Sequence, residues 1–535
     1  MGVPGSNEAI KRLYDQPVTL PQSLAQLLRE PWLLPILAVA VAVRLYQLTA
    51  AAIWGDEGSS LLLAQYPLAE LWTHAARDVH PPLYFALLRG WIGLFGDSIF
   101  SIRLASALPG MVVVFLGIWL THLVGARRRV TLLAGLLLAL LPTAVRYSQE
   151  IRMYSLMGVW LLGATLALVY WVHHPQRKRY LVTYVLLMAA GFYTHYFTAL
   201  CVLSHWCWLL LLRRHPDSGQ RPIACRDWWL ANVAIVVLFL PWLPGLIDLV
   251  LHMDELKVGG DVGWEPPVTL HSLPSMIWQV LAQEDGEGMS WWLFASLPSV
   301  IALVMVFIAW TDRSRFHLET LLVIYSAVPL LLVFAVSFLS PVFIERYLTV
   351  PVLGLPIILA LAIDRLARQR KVLAGLLLAV VLSAEGVGLK NNYAVDAGDQ
   401  FNNMVEYMNR HKQAGDQVVL GDMFWYLTWG YYDQSATAPR LYTPPTAKGV
   451  STRPNRYGFG TLIDEKAGVY LDHLEDLPLG NGRVWLVMSR VAPDEFPSIP
   501  TGWRKIDQHA GGIPRRSYMR PAIFHVVGTN RKSLI

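Results

Sequence analysis

The chain has little cysteine, little charge and no repeats. Its three cysteines, Cys201 and Cys207 in an apolar stretch and Cys225 in a basic loop, exclude a disulfide framework and a zinc-type spacing. Only 15% of the 535 residues are charged, against 54% hydrophobic and a mean hydropathy of +0.41, which excludes an ordinary soluble globule. No internal repeat or low-complexity tract accounts for its length. Residues 1–30 are polar and lack the apolar region of a cleaved leader, so the first apolar run reads as an uncleaved anchor. The net charge of +6 is no nucleic-acid signal, because most basic residues stand beside apolar runs.

What the chain does have is long apolar runs, at 33–50, 103–125, 130–145, 155–172, 229–249, 291–310, 319–339, 347–363 and 372–389. A helix needs about 20 apolar residues to cross a bilayer. The run 180–212 is too long for one crossing, and basic clusters flank both its ends, so it reads as a hairpin with Tyr193-Thr194-His195-Tyr196 at its tip. This gives about eleven crossings. The loops 125–130, 173–179, 213–227, 311–317 and 364–371 hold 16 Lys and Arg, whereas 142–152, 191–197 and 340–346 hold 3. That asymmetry puts the N-terminus in the cytoplasm and the C-terminus outside. Trp and Tyr at span ends fit an interfacial belt.

Two segments expected outside are long. Residues 51–102 are amphipathic and read as interfacial helices, and 251–290, with Gly, Pro, acids and Trp, reads as a mobile loop over a site. From about 390 the composition turns soluble, with a helix at 400–413 and strand-like runs at 417–421, 483–488 and 522–527. The expected fold class is therefore a polytopic α-helical membrane protein with a small C-terminal α/β domain. Its parts are a cytoplasmic segment 1–32, a membrane domain 33–389 and a soluble domain 390–535.

The polar residues outside the basic loops gather on the outer side in this threading. Asp56-Glu57 follows the first span directly, where headgroups meet water; as two loop acids they would need no further role. Arg44 lies within the first span, either a functional intramembrane charge or an anchor reaching for the interface. Asp78 and His80 precede Pro81-Pro82 and a helix start, and capping that helix is their simpler reading. Glu150, Arg152 and Tyr154 are spaced so that Glu150 and Tyr154 share a helix face while Arg152 points elsewhere. Arg346 stands between Glu345 and Tyr347, to bind a phosphate or to pair with Glu345. His195 alone reads as a satisfied interfacial histidine. Together they describe a cavity with acids near an acceptor and cations near an anion, bounded by 51–102, 146–154, 345–347 and 251–290.

On these residues the chain resembles the GT-C class of integral membrane glycosyltransferases, and within it the group of protein O-mannosyltransferases and the lipid A aminoarabinose transferase. The resemblance rests on Asp56-Glu57 and on Asp78-Val79-His80-Pro81-Pro82-Leu83-Tyr84. It extends through Phe95-Gly96-Asp97-Ser98, Arg103-Leu104-Ala105-Ser106-Ala107-Leu108, Tyr147-Ser148-Gln149-Glu150-Ile151-Arg152-Met153-Tyr154 and Glu345-Arg346-Tyr347. It covers roughly 33–365 of the chain. It implies a sugar donor carried on a polyprenyl phosphate and transfer with inversion, on the outer (periplasmic) face of a plasma (inner) membrane, to a lipid, glycan or protein acceptor. By resemblance Asp56 is the general base, with Glu57 beside it. Arg346 and Arg152, with Tyr347, face the donor phosphate. His80 stands near the position where the aminoarabinose transferases carry a lysine. Asp78, Glu150, Tyr154, Arg44 and His195 support the site. Some members use a divalent metal and others do not, and no compact ligand motif is present. A ligase acting on a lipid-linked glycan is the alternative within enzymes. A lipid-linked-sugar flippase is the alternative outside them, although flippases place polar groups at the midplane.

Overall fold

The structure, a computed structural model, describes residues 20–212, 221–258, 267–395, 401–433, 438–446, 448–463, 468–477, 483–488, 496, 499–501, 503–505, 510–512 and 523–530. Parts of the segments named from the sequence lie outside these residues, among them 1–19, 213–220 of the loop 213–227, and 259–266 of 251–290. The chain divides into two interleaved units. One comprises the chain up to Tyr46, Arg103–Leu243 and Glu265–Asn392; the other comprises Gln47–Ile102, Pro244–Trp264 and the chain from Tyr393. The segment after the first apolar helix therefore groups with the C-terminal part of the chain.

Every expected span contains a helix, but fewer reach crossing length than the apolar runs suggested. Among the described residues, Ile99–Leu123, Tyr154–His173, Arg226–Leu251, Trp291–Thr311, Leu318–Val336 and Lys371–Tyr393 are long and apolar enough to cross a membrane. Arg128–Leu140 and Pro142–Ser148 are long and apolar enough only when taken together, and they meet at a bend of 52°. Leu33–Leu45, Arg179–Phe192 and Thr198–Leu211 are shorter apolar helices. The run at 347–363 spends its first residues on two 3-10 turns, Glu345–Leu348 and Pro351–Leu353, before the helix Gly354–Gln369 begins. The apolar runs counted such turns as helix; among the described residues six helices, or seven with the bent pair, reach crossing length, against about eleven expected.

The bend has a local cause. Pro142 lacks an N–H and forces Leu141 into an extended conformation (ψ 111°), so one helix stops and another starts with proline in its first turn. The interruption leaves carbonyls of the first helix without their usual partners. Arg44, fully buried, donates to one of them, Ala139 O at 3.0 Å. At another boundary of this unit, Asp364 accepts from both Arg129 and Arg368, and Glu319 from Arg365.

The second unit holds a sheet. The strands β1 (Gln417–Leu420), β2 (Arg440–Tyr442), β3 (Tyr470–Leu471) and β4 (Val484–Met488) are parallel. Three more, β5 (Arg504–Lys505), β6 (Ala510–Gly512) and β7 (Ile523–Asn530), complete a seven-stranded sheet ordered β3-β2-β1-β4-β7-β5, with β6 also paired to β7. β7 lies antiparallel to β4, β5 and β6. The alternation along the two central strands sorts their side chains onto two cores. Val418, Leu420, Trp485 and Val487 pack with Phe401, Met404, Trp425 and Trp429, while Val419, Val484 and Leu486 pack with Tyr442, Leu471 and Phe496. Burial on both faces explains why these strands read as continuous apolar runs. The helix Phe401–His411 stands where the sequence placed it; Met423–Tyr432 was not anticipated.

Three helices lie within 51–102. Leu68–Ala76 and Leu83–Phe95 expose Leu68, Trp72, Leu87, Leu94 and Phe95, as amphipathic surface helices should. Gly55–Gln65 differs: nine of its eleven residues are buried.

Asp416, at the entrance to β1, accepts hydrogen bonds from Arg483, from the Trp485 indole (2.8 Å) and from the backbone of Gln413 (2.9 Å). Burial alone would raise its carboxyl, but the bonds from Arg483, Trp485 and the two backbone N–H groups of Gln413 and Arg483 outweigh it and hold the group below the usual carboxylate range. A lowered folded value stabilises the fold above the unfolded value of about 3.9, and that contribution is lost as pH falls through the folded value. Asp416→Asn should therefore unfold β1 and β4 at lower urea than the wild type at pH 7, with the difference shrinking below about pH 4. Pulsed hydrogen exchange of 417–420 and 484–488 after equilibration in urea measures this. A difference that stays constant down to pH 3 contradicts it.

Candidate active site

The residues singled out from the sequence fall into two groups, one in each unit. The first group forms around the interruptions of the membrane helices. Residues 149–153 are a turn between Pro142–Ser148 and the helix that starts at Tyr154, so the shared helix face expected for Glu150 and Tyr154 does not exist. Gln149 holds the turn in place by donating to the carbonyls of Arg44 (3.0 Å) and Tyr46 (2.8 Å). Arg44 faces inward, onto Ala139 O, and so braces the bend instead of reaching for an interface. Arg152 is 2% exposed in the same turn, its carbonyl accepting from Ser106 Oγ at 3.2 Å.

At the centre of this group is Glu345, 1% exposed. Its carboxylate accepts from Thr143 Oγ1 and Gln283 Nε2, from Arg146 Nη1 at 3.4 Å and from Tyr147 Oη at 3.4 Å. Arg146 also reaches Glu150 (3.4 Å) and the side-chain oxygen of Gln283 (3.0 Å). Glu345 is thus held from distant parts of the chain, chiefly through Arg146. Gln283 carries a left-handed backbone (φ 54°) at the end of the helix Ser272–Ala282, a conformation uncommon for a non-glycine residue. The sequence reading missed Arg146, whose i,i+4 spacing to Glu150 was the signal that could have found it; Gln283 and Thr143 gave no signal along the chain.

Next to the carboxylates runs a file of rings. Tyr147 meets Tyr154 (5.1 Å between centroids), Tyr154 meets His195 (5.9 Å), and His195 meets Tyr347 (5.6 Å), which also packs on Phe197 (4.7 Å). The Arg346 guanidinium lies 5.6 Å from the Tyr347 ring centre. Below Tyr347 is an apolar pocket lined by Met157, Leu161, Phe197, Leu200, Tyr325 and Pro351, among others. The structure therefore brings Glu150, Tyr154, His195, Arg346 and Tyr347 into one neighbourhood.

The second group lies in the other unit. Asp56 and Glu57 occupy the first turn of Gly55–Gln65, where the helix dipole favours negative side chains. Glu57 turns back to accept from Trp54 N at 3.4 Å, a helix-start role. The Asp56 carbonyl accepts from Ser59 and Ser60 Oγ, both at 2.9 Å, and its residue is 5% exposed. Asp78 accepts from Val79 N (2.7 Å) and stands 3.5 Å from His80 Nδ1, both residues being buried. The cap position of the helix Leu83–Phe95 is Pro82. Among the described residues no three His, Cys, Asp or Glu side chains converge to hold a metal ion.

Comparison with known proteins gives one family match and a likeness of fold. Residues 79–244 match the family described as dolichyl-phosphate-mannose-protein mannosyltransferase. ArnT from Cupriavidus metallidurans, in its apo crystal structure, aligns with a TM-score of 0.59 at 13% identity, covering 92% of this chain and 97% of ArnT. Its complex with undecaprenyl phosphate aligns with a TM-score of 0.55 at 14% identity, covering 92% and 98%. The chain resembles the GT-C membrane glycosyltransferases. No curated protein matches it in sequence. The likeness to ArnT is one of fold.

Removing Arg146 leaves Glu345 and Glu150 without their shared cation, and stranding a buried charge costs about 3–5 kcal/mol. Arg146→Ala should destabilise the protein on that scale, and Glu345→Gln should soften the loss when combined with it. Unfolding of the purified protein in mixed micelles, read as a double-mutant cycle, measures the coupling. Strictly additive losses would show that Arg146 and Glu345 do not support each other.

Proposed function

We propose that the protein is an inverting glycosyltransferase that moves a sugar from a polyprenyl-phosphate donor to a lipid, glycan or protein acceptor on the outer face of the membrane. What carries this reading is the end-to-end fold likeness to ArnT, a protein crystallised with undecaprenyl phosphate, in a chain that places a buried Asp-Glu pair in the first helical turn after its first apolar helix. The mannosyltransferase family match over 79–244 supports it.

In this reading Asp56 takes the proton of the acceptor hydroxyl as that oxygen attacks the anomeric carbon. The bond from that carbon to the phosphate oxygen breaks, and its electron pair leaves with the lipid phosphate. A positioned base contributes about 10²–10⁴-fold. The negative charge growing on the leaving phosphate calls for fixed cations and donors. Arg346, stacked on Tyr347, is first among them, with Arg152 and His80 assisting. Glu57 holds the helix start from which Asp56 projects, and Asp78 orients His80. Glu150, Tyr154, Arg44 and His195 keep the surrounding turns in place. The apolar pocket below Tyr347 suits the first isoprenoid units of the donor. The protein sits in a plasma (inner) membrane with its N-terminus cytoplasmic, and any divalent metal would assist at the phosphate.

Three measurements test this. Asp56→Asn should lower lipid-phosphate release from a panel of undecaprenyl-phosphate sugars (mannosyl, glucosyl, aminoarabinosyl) by about 10²-fold or more, with native membranes supplying the acceptor. Its binding of undecaprenyl phosphate should persist. Arg346→Ala should show the reverse emphasis, weakening that binding about tenfold, the scale of one charge-assisted hydrogen bond. Near-wild-type turnover of Asp56→Asn would move the base to Glu57 or Asp78. For sidedness, single cysteines at the exposed positions Glu70 and Ser451 should react with an impermeant thiol reagent in intact cells. Labelling of both only after lysis would invert the topology.

A further inference from the structure

Asp56 and Glu57 lie between two glycines, and both glycines face the Met423–Tyr432 helix of the C-terminal fold. A Cβ on Gly55 would stand 2.3 Å from Phe424 Cδ1. One on Gly58 would stand 2.6 Å from the Leu427 carbonyl oxygen and 3.1 Å from Thr428 Cα. The two helices therefore touch backbone to backbone at the turn that carries the acids. The chain entering that turn is fixed to the same helix, since Ile53 N donates to Tyr432 Oη at 2.7 Å and Ala52 is part of the core around Phe401, Trp425 and Trp429. A second set of contacts holds the Asp78–His80 turn. Gly458 N donates to Arg77 O (2.8 Å), Thr461 Oγ1 lies 2.9 Å from His74 Nδ1, and Val79 packs against the cluster formed by Leu249, Leu256 and Tyr457. Phe459 meets Phe424 edge-on at 5.3 Å, joining the two sets.

We infer that the C-terminal fold positions the acid cluster of this enzyme. Gly55, Gly58, Phe424 and Tyr432 set the helix turn that carries Asp56, and the segment 455–461 sets Asp78 and His80 relative to it. These are positioning residues. The inference rests on the reading of Asp56 as the base, but it predicts behaviour that reading alone does not. A base displaced by about 1 Å loses about 10²-fold in rate. The two glycines differ in how such a displacement can be undone. A methyl group on Gly55 meets chiefly a ring that can be cut away, leaving only Phe424 Cβ at 3.0 Å, whereas one on Gly58 meets only backbone.

The full-length protein in nanodiscs decides the matter. Gly55→Ala and Gly58→Ala should each lower kcat for undecaprenyl-phosphate release at least tenfold, with KM for the donor and the binding of undecaprenyl phosphate within about twofold of wild type. Phe424→Ala should restore Gly55→Ala to within about fivefold and leave Gly58→Ala impaired. The same variants in an Asp56→Cys background should shift the reaction rate of that thiol with a methanethiosulfonate at least threefold, with the same pattern of rescue. This second readout needs no sugar donor. Wild-type kcat and thiol rates in both glycine variants overturn the inference, as does equal rescue of both by Phe424→Ala. If Asp56→Asn keeps its turnover while the glycine variants and their rescue behave as stated, the base assignment fails and the positioning role stands. If Asp56→Asn loses turnover while the glycine variants are silent, the base assignment stands and the positioning role fails.

Discussion

A carboxylate as deeply buried as that of Glu345 persists in an apolar helical domain only if other groups answer its charge. The arrangement of the first unit follows from that constraint. Arg146 supplies the cation, Thr143 and Tyr147 supply hydroxyls from the same short helix, and Gln283 supplies an amide from a residue with a left-handed backbone. None of these could reach Glu345 from an unbroken span. The bend at Pro142 and the turn at 149–153 put polar side chains at a level where a continuous helix would present only leucines. The breaks carry their own obligations, which Arg44 and Gln149 meet by donating to carbonyls. Charge and interrupted backbone thus satisfy one another, and Arg44, which reads from the sequence as a functional intramembrane charge or an interfacial anchor, is part of that exchange.

The same constraint explains which parts of the molecule were legible. Apolar runs locate the helices because the bilayer leaves few ways to satisfy a backbone. The tip at Tyr193–Tyr196 and the strands β1, β4 and β7 were readable from flanking charge and from short apolar runs. What a run of apolar letters conceals is where it stops being helix. Pro142 and Pro351 carried that signal, and at both the run continued through a break. The partners of Glu345 were hidden for another reason. Gln283 and Thr143 lie 62 and 202 residues from it, and nothing local distinguishes them from ordinary loop and helix residues.

Site residues were found by type and their roles were set by geometry. Glu57 and Asp56 look interchangeable in the sequence, yet Glu57 is folded back onto Trp54 N while the Asp56 carbonyl accepts from Ser59 and Ser60. Glu345 and Arg346, adjacent in the chain, diverge: the glutamate turns to Arg146 and the arginine stacks on Tyr347. Adjacent opposite charges invite the reading of a local pair, and that reading fails because a 3-10 turn sends neighbours to different sides of the backbone.

The second unit raises the question of why a short polar helix should be so fully enclosed. Gly55–Gln65 begins Gly-Asp-Glu-Gly-Ser-Ser, a sequence with two glycines and poor helix propensity, and eleven residues are too few for a helix to persist on its own. Its stability must come from what covers it. Leu83–Phe95 covers one side, and Met423–Tyr432, contributed by a segment more than 300 residues later in the chain, covers another through contacts that only glycine permits. The features that make the helix weak in isolation, glycines and small serines around the acids, are the ones that let another backbone approach within contact distance. A better helix former at Gly55 or Gly58 would strengthen the element locally and remove the contact that fixes its place. In this segment local propensity has been given up for tertiary definition, and it has been given up at the turn that holds Asp56.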